Sequence, residues 1–138
     1  MRFIGTLGGY ESQAFGVSVD GSVVVGRSTN ATNERRAFRW TAAGGMQDLG
    51  TLGGVGSAAY GVSADGSVVV GDSADTSGQS RAFRWTAAGM KNLSTLYSTS
   101  LGSGSYLAFA NAISADGLHV VGYGYNRRNA RYEAFITN

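Results

Sequence analysis

A chain of 138 residues is about one domain's worth of sequence, long enough to bury a core without disulfides or structural metal. Its 43% hydrophobic content against 14% charged residues excludes disorder, and a net charge of +2 gives no dense positive field for nucleic acid. With no Cys, disulfide frameworks, thiolate nucleophiles and thiolate metal sites are also excluded, and the redox compartment is left open.

The first element predicted is a strand over Met1 to Leu7, repeated as Met46 to Leu52 and Met90 to Leu96. Its opening, Met1-Arg2-Phe3-Ile4-Gly5, has one basic residue and two large apolar ones, which is not a signal peptide, and no apolar run is long enough to span a membrane. Gly5-Thr6-Leu7-Gly8-Gly9 recurs as Gly50-Thr51-Leu52-Gly53-Gly54, an offset of 45 residues. Gly16 to Gly26 recurs as Gly61 to Gly71, and Arg36 to Gly44 recurs as Arg81 to Gly89, both at the same offset. A more diverged third copy matches Ala112 to Gly122 and Glu133 to Ile136. Ordered self-similarity of this kind marks a repeat architecture.

Each copy reads as four short strands, taken in the second copy as Met46 to Leu52, Ala58 to Ser63, Ser67 to Ser73 and Arg81 to Thr86. Ala64-Asp65-Gly66 between apolar strands is a hairpin signal, because Gly accepts positive φ. Ala87-Ala88-Gly89 is a second turn, and no helical period is found. The class is all-β, with repeats at 1–45, 46–89 and 90–138. Consecutive valines, Val23 to Val25 and Val68 to Val70, want burial on both faces, as in a propeller blade sandwiched between neighbours. Small residues flank these runs, suiting close packing between blades. A β-trefoil is the alternative, since it too has three such units. Three blades leave two open faces, so a propeller reading expects a homodimer closing a six-bladed ring, or a fragment of a longer array.

The blocks from Asp48 to Gly54, Gly61 to Gly71 and Arg81 to Trp85 resemble the HAF repeat, a bacterial repeat named for His-Ala-Phe. The resemblance covers essentially the whole chain. It implies a propeller-like fold and an extracellular setting, although no signal peptide stands in this sequence. The His position is Arg36, Arg81 and Glu133 here, so no role of that residue carries over.

No catalytic constellation is found. The one His, His119, takes the slot of Val23 and Val68, which reads as a buried or rim position rather than a triad member. Asp20, Asp65 and Asp116 each precede Gly in a hairpin turn and read as scaffold. Asp72 to Gly78 suggests a solvated loop rather than a Ca²⁺ loop. Neither a metal site nor a cofactor is expected. Arg39-Trp40 and Arg84-Trp85 read as packing between repeats with a cation–π contact.

The third copy differs from the others in two places. The spacing from Leu52 to Val62 is 10 residues and that from Leu96 to Ile113 is 17, a seven-residue insertion running through Tyr97 and Tyr106. A second loop, Tyr123 to Tyr132, carries Tyr123, Tyr125, Arg127, Arg128 and Arg131. A meander places both loops at the same end of one unit. These seven residues form the candidate ligand-binding site, for a glycan, an acidic ligand or a protein partner, because Tyr and Arg combine rigid apolar area with hydrogen bonding.

Overall fold

The computed structural model describes residues 1–138 throughout, as three separate antiparallel sheets joined in series. The first contains β1 (Gly8–Val17), β2 (Val23–Asn30), β3 (Arg35–Thr41) and β4 (Gly45–Asp48), hydrogen-bonded in chain order. The second repeats this with β5 (Gly53–Val62), β6 (Val69–Asp75), β7 (Ser80–Thr86) and β8 (Gly89–Asn92). One helical turn, α1 (Leu93–Leu96), leads to the third sheet, where β9 (Tyr106–Ile113), β10 (Val120–Asn126) and β11 (Arg131–Ile136) pair in order β9-β10-β11. No sheet closes on itself, so the barrel that a β-trefoil needs is not formed and that alternative is withdrawn.

Two expectations shift in detail. The segment beginning each sequence repeat pairs backwards: β4 lies against β3, with Phe38 opposite Asp48 and Trp40 opposite Met46. Sheets therefore run Gly8–Asp48 and Gly53–Asn92, out of phase with repeats cut at 45 and 89. A periodic sequence carries no phase of its own; only the hydrogen bonds assign the strand to one sheet or the next. The short helix α1 was also unforeseen. Asn92 caps it, its side-chain oxygen accepting from Ser94 N–H at 2.9 Å.

Adjacent sheets pack face to face. Between the first and second lie Val23, Val25, Ala37 and Leu49 on one side and Ala59, Val69, Phe83 and Trp85 on the other. Between the second and third lie Val70, Ala82 and Leu93 against Leu107, Ala110 and Val120. The double burial expected of the central strand holds in the second sheet, where Val68, Val69 and Val70 are all buried. The glycines divide into two roles. Gly61 packs between sheets, since a Cβ there would sit 3.2 Å from Ala112 Cα. Gly26, Gly71 and Gly122 instead lie under a carbonyl of the neighbouring strand in their own sheet.

The recurring Asp is a turn brace. Asp65 Oδ1 accepts from Ser63 Oγ at 2.7 Å, Ser67 N–H at 3.0 Å and Ser67 Oγ at 2.7 Å, while Gly66 takes φ of 75°. The first copy has the same set around Asp20, and in the third Leu118 N–H donates to Asp116. Donors converging on the charged carboxylate hold Asp20 and Asp65 at about 2, backbone N–H groups first, and lower Asp116 through Ser114. Folded values below the ordinary 3.8 contribute stability that is present above that pH and lost as pH falls towards about 2. Melting temperature should therefore drop across this window. Asn at all three positions should shrink the drop, as thermal melts at pH 2 to 5 would show.

Candidate functional site

The third sheet gathers most of the aromatic residues of the third copy on one face. Register places Tyr125 opposite both Tyr106 and Tyr132, and Tyr123 opposite Phe109 and Ala134. Directly opposed side chains share a face, so these form a two-row aromatic surface. Tyr106 stacks on Tyr125 at 5.7 Å between centroids, Phe109 stacks on Tyr123 at 4.9 Å, and Tyr132 meets Tyr125 edge-on at 5.5 Å. The Tyr106 and Tyr132 hydroxyls lie 2.8 Å apart, which raises the Tyr106 pKa. Arg81, from the second sheet, places its guanidinium 4.1 Å from the centroid of the Tyr106 ring.

The two divergent segments do meet. Arg127 N–H donates to Ser105 Oγ at 3.0 Å, tying the β10–β11 turn to the insertion. Strands extend further into these segments than expected, however. Tyr123, Tyr125, Tyr132 and Arg131 lie within β10 and β11, and only residues 127–130 form the turn. Asp72 likewise lies in β6, half-buried, and not in a solvated loop; burial raises its pKa against the opposing effects of Tyr60, Ser80 and Arg27.

The arginines do not converge. Arg131 Nε is 2.7 Å from Glu133 Oε1, a pair that, with Asn126 and Asn129, holds Glu133 at about 2. Arg127 packs beside Gly104, and Arg128 N–H donates to Asn126 Oδ1. Tyr97 sits apart from the aromatic rows. It lines a cleft of about 320 Å³, with Leu101, Tyr106, Tyr125, Phe135 and Thr137, that is bordered by residues of all three strands, β9, β10 and β11. Sequence reasoning missed Phe109, Tyr132, Phe135 and Arg81. Tyr132 stood within the quoted segment, but only strand register reveals it as part of a row, and nothing in the sequence links Arg81 to Tyr106.

Other chemistry is sparse. His119 is an exposed rim residue, with Nδ1 3.1 Å from Thr137 O. No group of three or more His, Asp or Glu side chains is placed to hold a metal ion, and no helix is long and apolar enough to cross a membrane. Arg39 of the first sheet reaches the second, its guanidinium 5.8 Å from the Trp85 centroid and its Nε donating to Gly66 O at 2.9 Å. The Arg–Trp contact thus joins adjacent sheets rather than sequence neighbours.

No family model and no curated protein matches the chain. Among solved structures it is similar to TolB from Acinetobacter baumannii, with a TM-score of 0.60 and 16% identity over 89% of this chain. The chain spans 29% of the length of that structure. TolB contains a β-propeller, and at this identity the likeness speaks to fold alone.

Proposed function

We propose that this chain is a non-catalytic, blade-type repeat module of the HAF kind, whose work is to bind protein surfaces, first of all a second copy of itself. One observation carries the reading. Val25 and Val70 are fully buried at the joints between sheets, whereas their equivalent on the third sheet, Val121, is 40% exposed. The same face exposes Tyr123, Tyr132 and Ile136. It is the apolar side of a packing joint without its partner sheet, and contiguous apolar surface of this kind marks an interaction site.

Hydrogen bonding points the same way. Val19 N–H donates to Ala64 O at 3.0 Å, and Ala64 N–H donates to Ala115 O at 2.9 Å, linking equivalent turns of successive sheets. Ala115 N–H and Val19 O stand at the two ends of this chain of bonds. A second copy placed end to end would join them twice, closing six blades around a two-fold axis. The TolB likeness supports a propeller arrangement in fold. Glycan or acidic-ligand binding is less favoured, because Arg131 is already paired with Glu133.

Val121→Glu tests the reading, since it would bury an unpaired carboxylate in the joint. Sedimentation should show self-association weakened by about tenfold or more, with circular dichroism unchanged because Val121 is exposed in the single chain. Unaltered association would count against this face.

A further inference from the structure

Beyond packing of the end faces, the structure assigns a specific joint. We propose that Met1–Ile4 of one chain adds as a fourth strand to the free outer edge of β11 in a second chain, with Phe3 seated in the cleft beside Tyr97, Leu101 and Phe135. The inference rests on the self-association proposed above and specifies how it is made.

Met1 to Leu7 is the sequence equivalent of Met46 to Leu52, whose first residues form β4 on the edge of β3. In the single chain Met1 to Thr6 has no strand partner, and Phe3 is 92% exposed. Yet the segment that follows is already set in its joint geometry. Thr6 Oγ1 donates to Gly9 O at 2.9 Å, as Thr51 Oγ1 does to Gly54 O at 2.8 Å. Leu7 N–H donates to Ser28 Oγ at 2.9 Å, as Leu52 N–H does to Ser73 Oγ at 2.7 Å. Gly5 and Gly8 take φ of 85° and 104°, against 80° and 111° at Gly50 and Gly53. The linker is therefore pre-organised to deliver Met1–Ile4 to a sheet edge.

That edge is β11. Transferring the β3–β4 register places Phe3 opposite Phe135 and Arg2 opposite Ile136 of the second chain. In the first sheet, Leu49 N–H donates to Ala37 O at 2.9 Å, and Ala37 N–H donates to Ser57 Oγ at 2.9 Å. The equivalents are Ile4 N–H to Ala134 O, and Ala134 N–H to Ser12 Oγ. Ser12 already donates to Gly5 O at 2.7 Å, as Ser57 does to Gly50 O at 2.6 Å, leaving its oxygen free to accept. Main-chain bonds of this type are how an added strand binds a sheet edge.

Specificity comes from a matched pair of departures from the repeat. Position 3 is Phe where the equivalents are Asp48 and Asn92. The insertion unique to the third copy supplies Tyr97 and Leu101, which with Phe135 form the apolar part of a mixed cleft and pack on the core between the second and third sheets. Phe3 opposite Phe135 points its ring to that side, because opposed residues in an antiparallel pair share a face.

Analytical ultracentrifugation and cross-linking of the 138-residue chain test the joint. Phe3→Asp, which restores the residue of the first joint, should raise the dimer dissociation constant about tenfold or more, the ring's apolar contact with Phe135, Tyr97 and Leu101 being lost. Phe3→Leu should stay within a few-fold. Opposed residues of a ladder bring Cα atoms to about 5.5 Å, within disulfide range. An oxidised mixture of Arg2→Cys and Ile136→Cys chains should thus give a covalent dimer, with neither variant alone doing so. The chain has no Cys to interfere. A wild-type dimer indifferent to Phe3→Asp and yielding no cross-link would overturn the strand joint while leaving self-association standing. A wild-type monomer at all concentrations would overturn both. Larger assemblies with the same cross-link would support the joint in an open head-to-tail chain.

Discussion

Phe83→Ala should destabilise the chain by about 3–5 kcal/mol, as truncation of a fully buried aromatic does. Phe83 is wholly buried in the joint between the first and second sheets, among Val23, Val25, Ala37, Leu49 and Trp85. Neighbours on both sheets are held by strand ladders and cannot collapse into the space, so the cavity cost adds to the lost transfer energy. Phe135, its equivalent in the third sheet, is only half-buried, and Phe135→Ala should cost clearly less. Urea unfolding at a protein concentration below the onset of association would measure both in the single chain, since association shifts apparent stability. Equal losses at the two sites would contradict the packing described here.

Gly71→Ala should be nearly as severe, about 3 kcal/mol, the upper part of the usual range for overpacking. A Cβ at Gly71 would stand 1.9 Å from Ala58 O, with Ala58 C and Ala59 Cα each 2.9 Å away. These are backbone atoms of β5, the strand beside it in the same sheet, so no side-chain rotation can relieve the clash. The register shift between Ala59 and Gly61 brings that carbonyl over the glycine. Gly26 and Gly122 meet the same obstacle at Gln13 O and Phe109 O. Gly78 is the useful contrast. It has φ of 76° but nothing within 4 Å, so Gly78→Ala should cost only about 1 kcal/mol, the strain of a left-handed residue. Comparable losses at Gly71 and Gly78 would show that backbone conformation, rather than the overlying carbonyl, explains the glycines.

Much of the scaffold was legible because its signals are local. Asp65-Gly66 announces its turn through the φ that Gly allows, and Val68 to Val70 announces a doubly covered strand. The bulge that requires Gly71 was not legible, since it depends on how β5 registers against β6. For the same reason the sequence could suggest close packing around the valine runs but not say that Gly61 serves the joint between sheets and Gly71 the sheet itself. The boundary between sheets was hidden too, because Met46 to Leu52 looks alike whether it begins one unit or completes another.

The candidate site divides in the same way. Tyr97, Tyr106, Tyr123 and Tyr125 stood out because the third copy departs from the other two there. That Tyr106, Tyr123 and Tyr125 form aromatic rows, while Tyr97 meets Tyr106 and Tyr125 only as lining of the neighbouring cleft, needed the register of β9, β10 and β11. Arg127, Arg128 and Arg131 drew notice by composition, but Glu133 engages the Arg131 guanidinium, and Ser105 holds Arg127 only through its backbone N–H in the turn. Phe3 was noted only as one of two large apolar residues in the opening segment, since its place opposite Phe135 needs the strand register to be known.

The exposed end faces and the unpaired Met1–Thr6 segment make one demand that a single measurement can meet. Sedimentation equilibrium of the 138-residue chain across a concentration series should give twice the 14.3 kDa mass of one chain at the upper concentrations. A mass that stays at 14.3 kDa throughout, with the chain folded, would contradict the proposal that these faces exist to be joined.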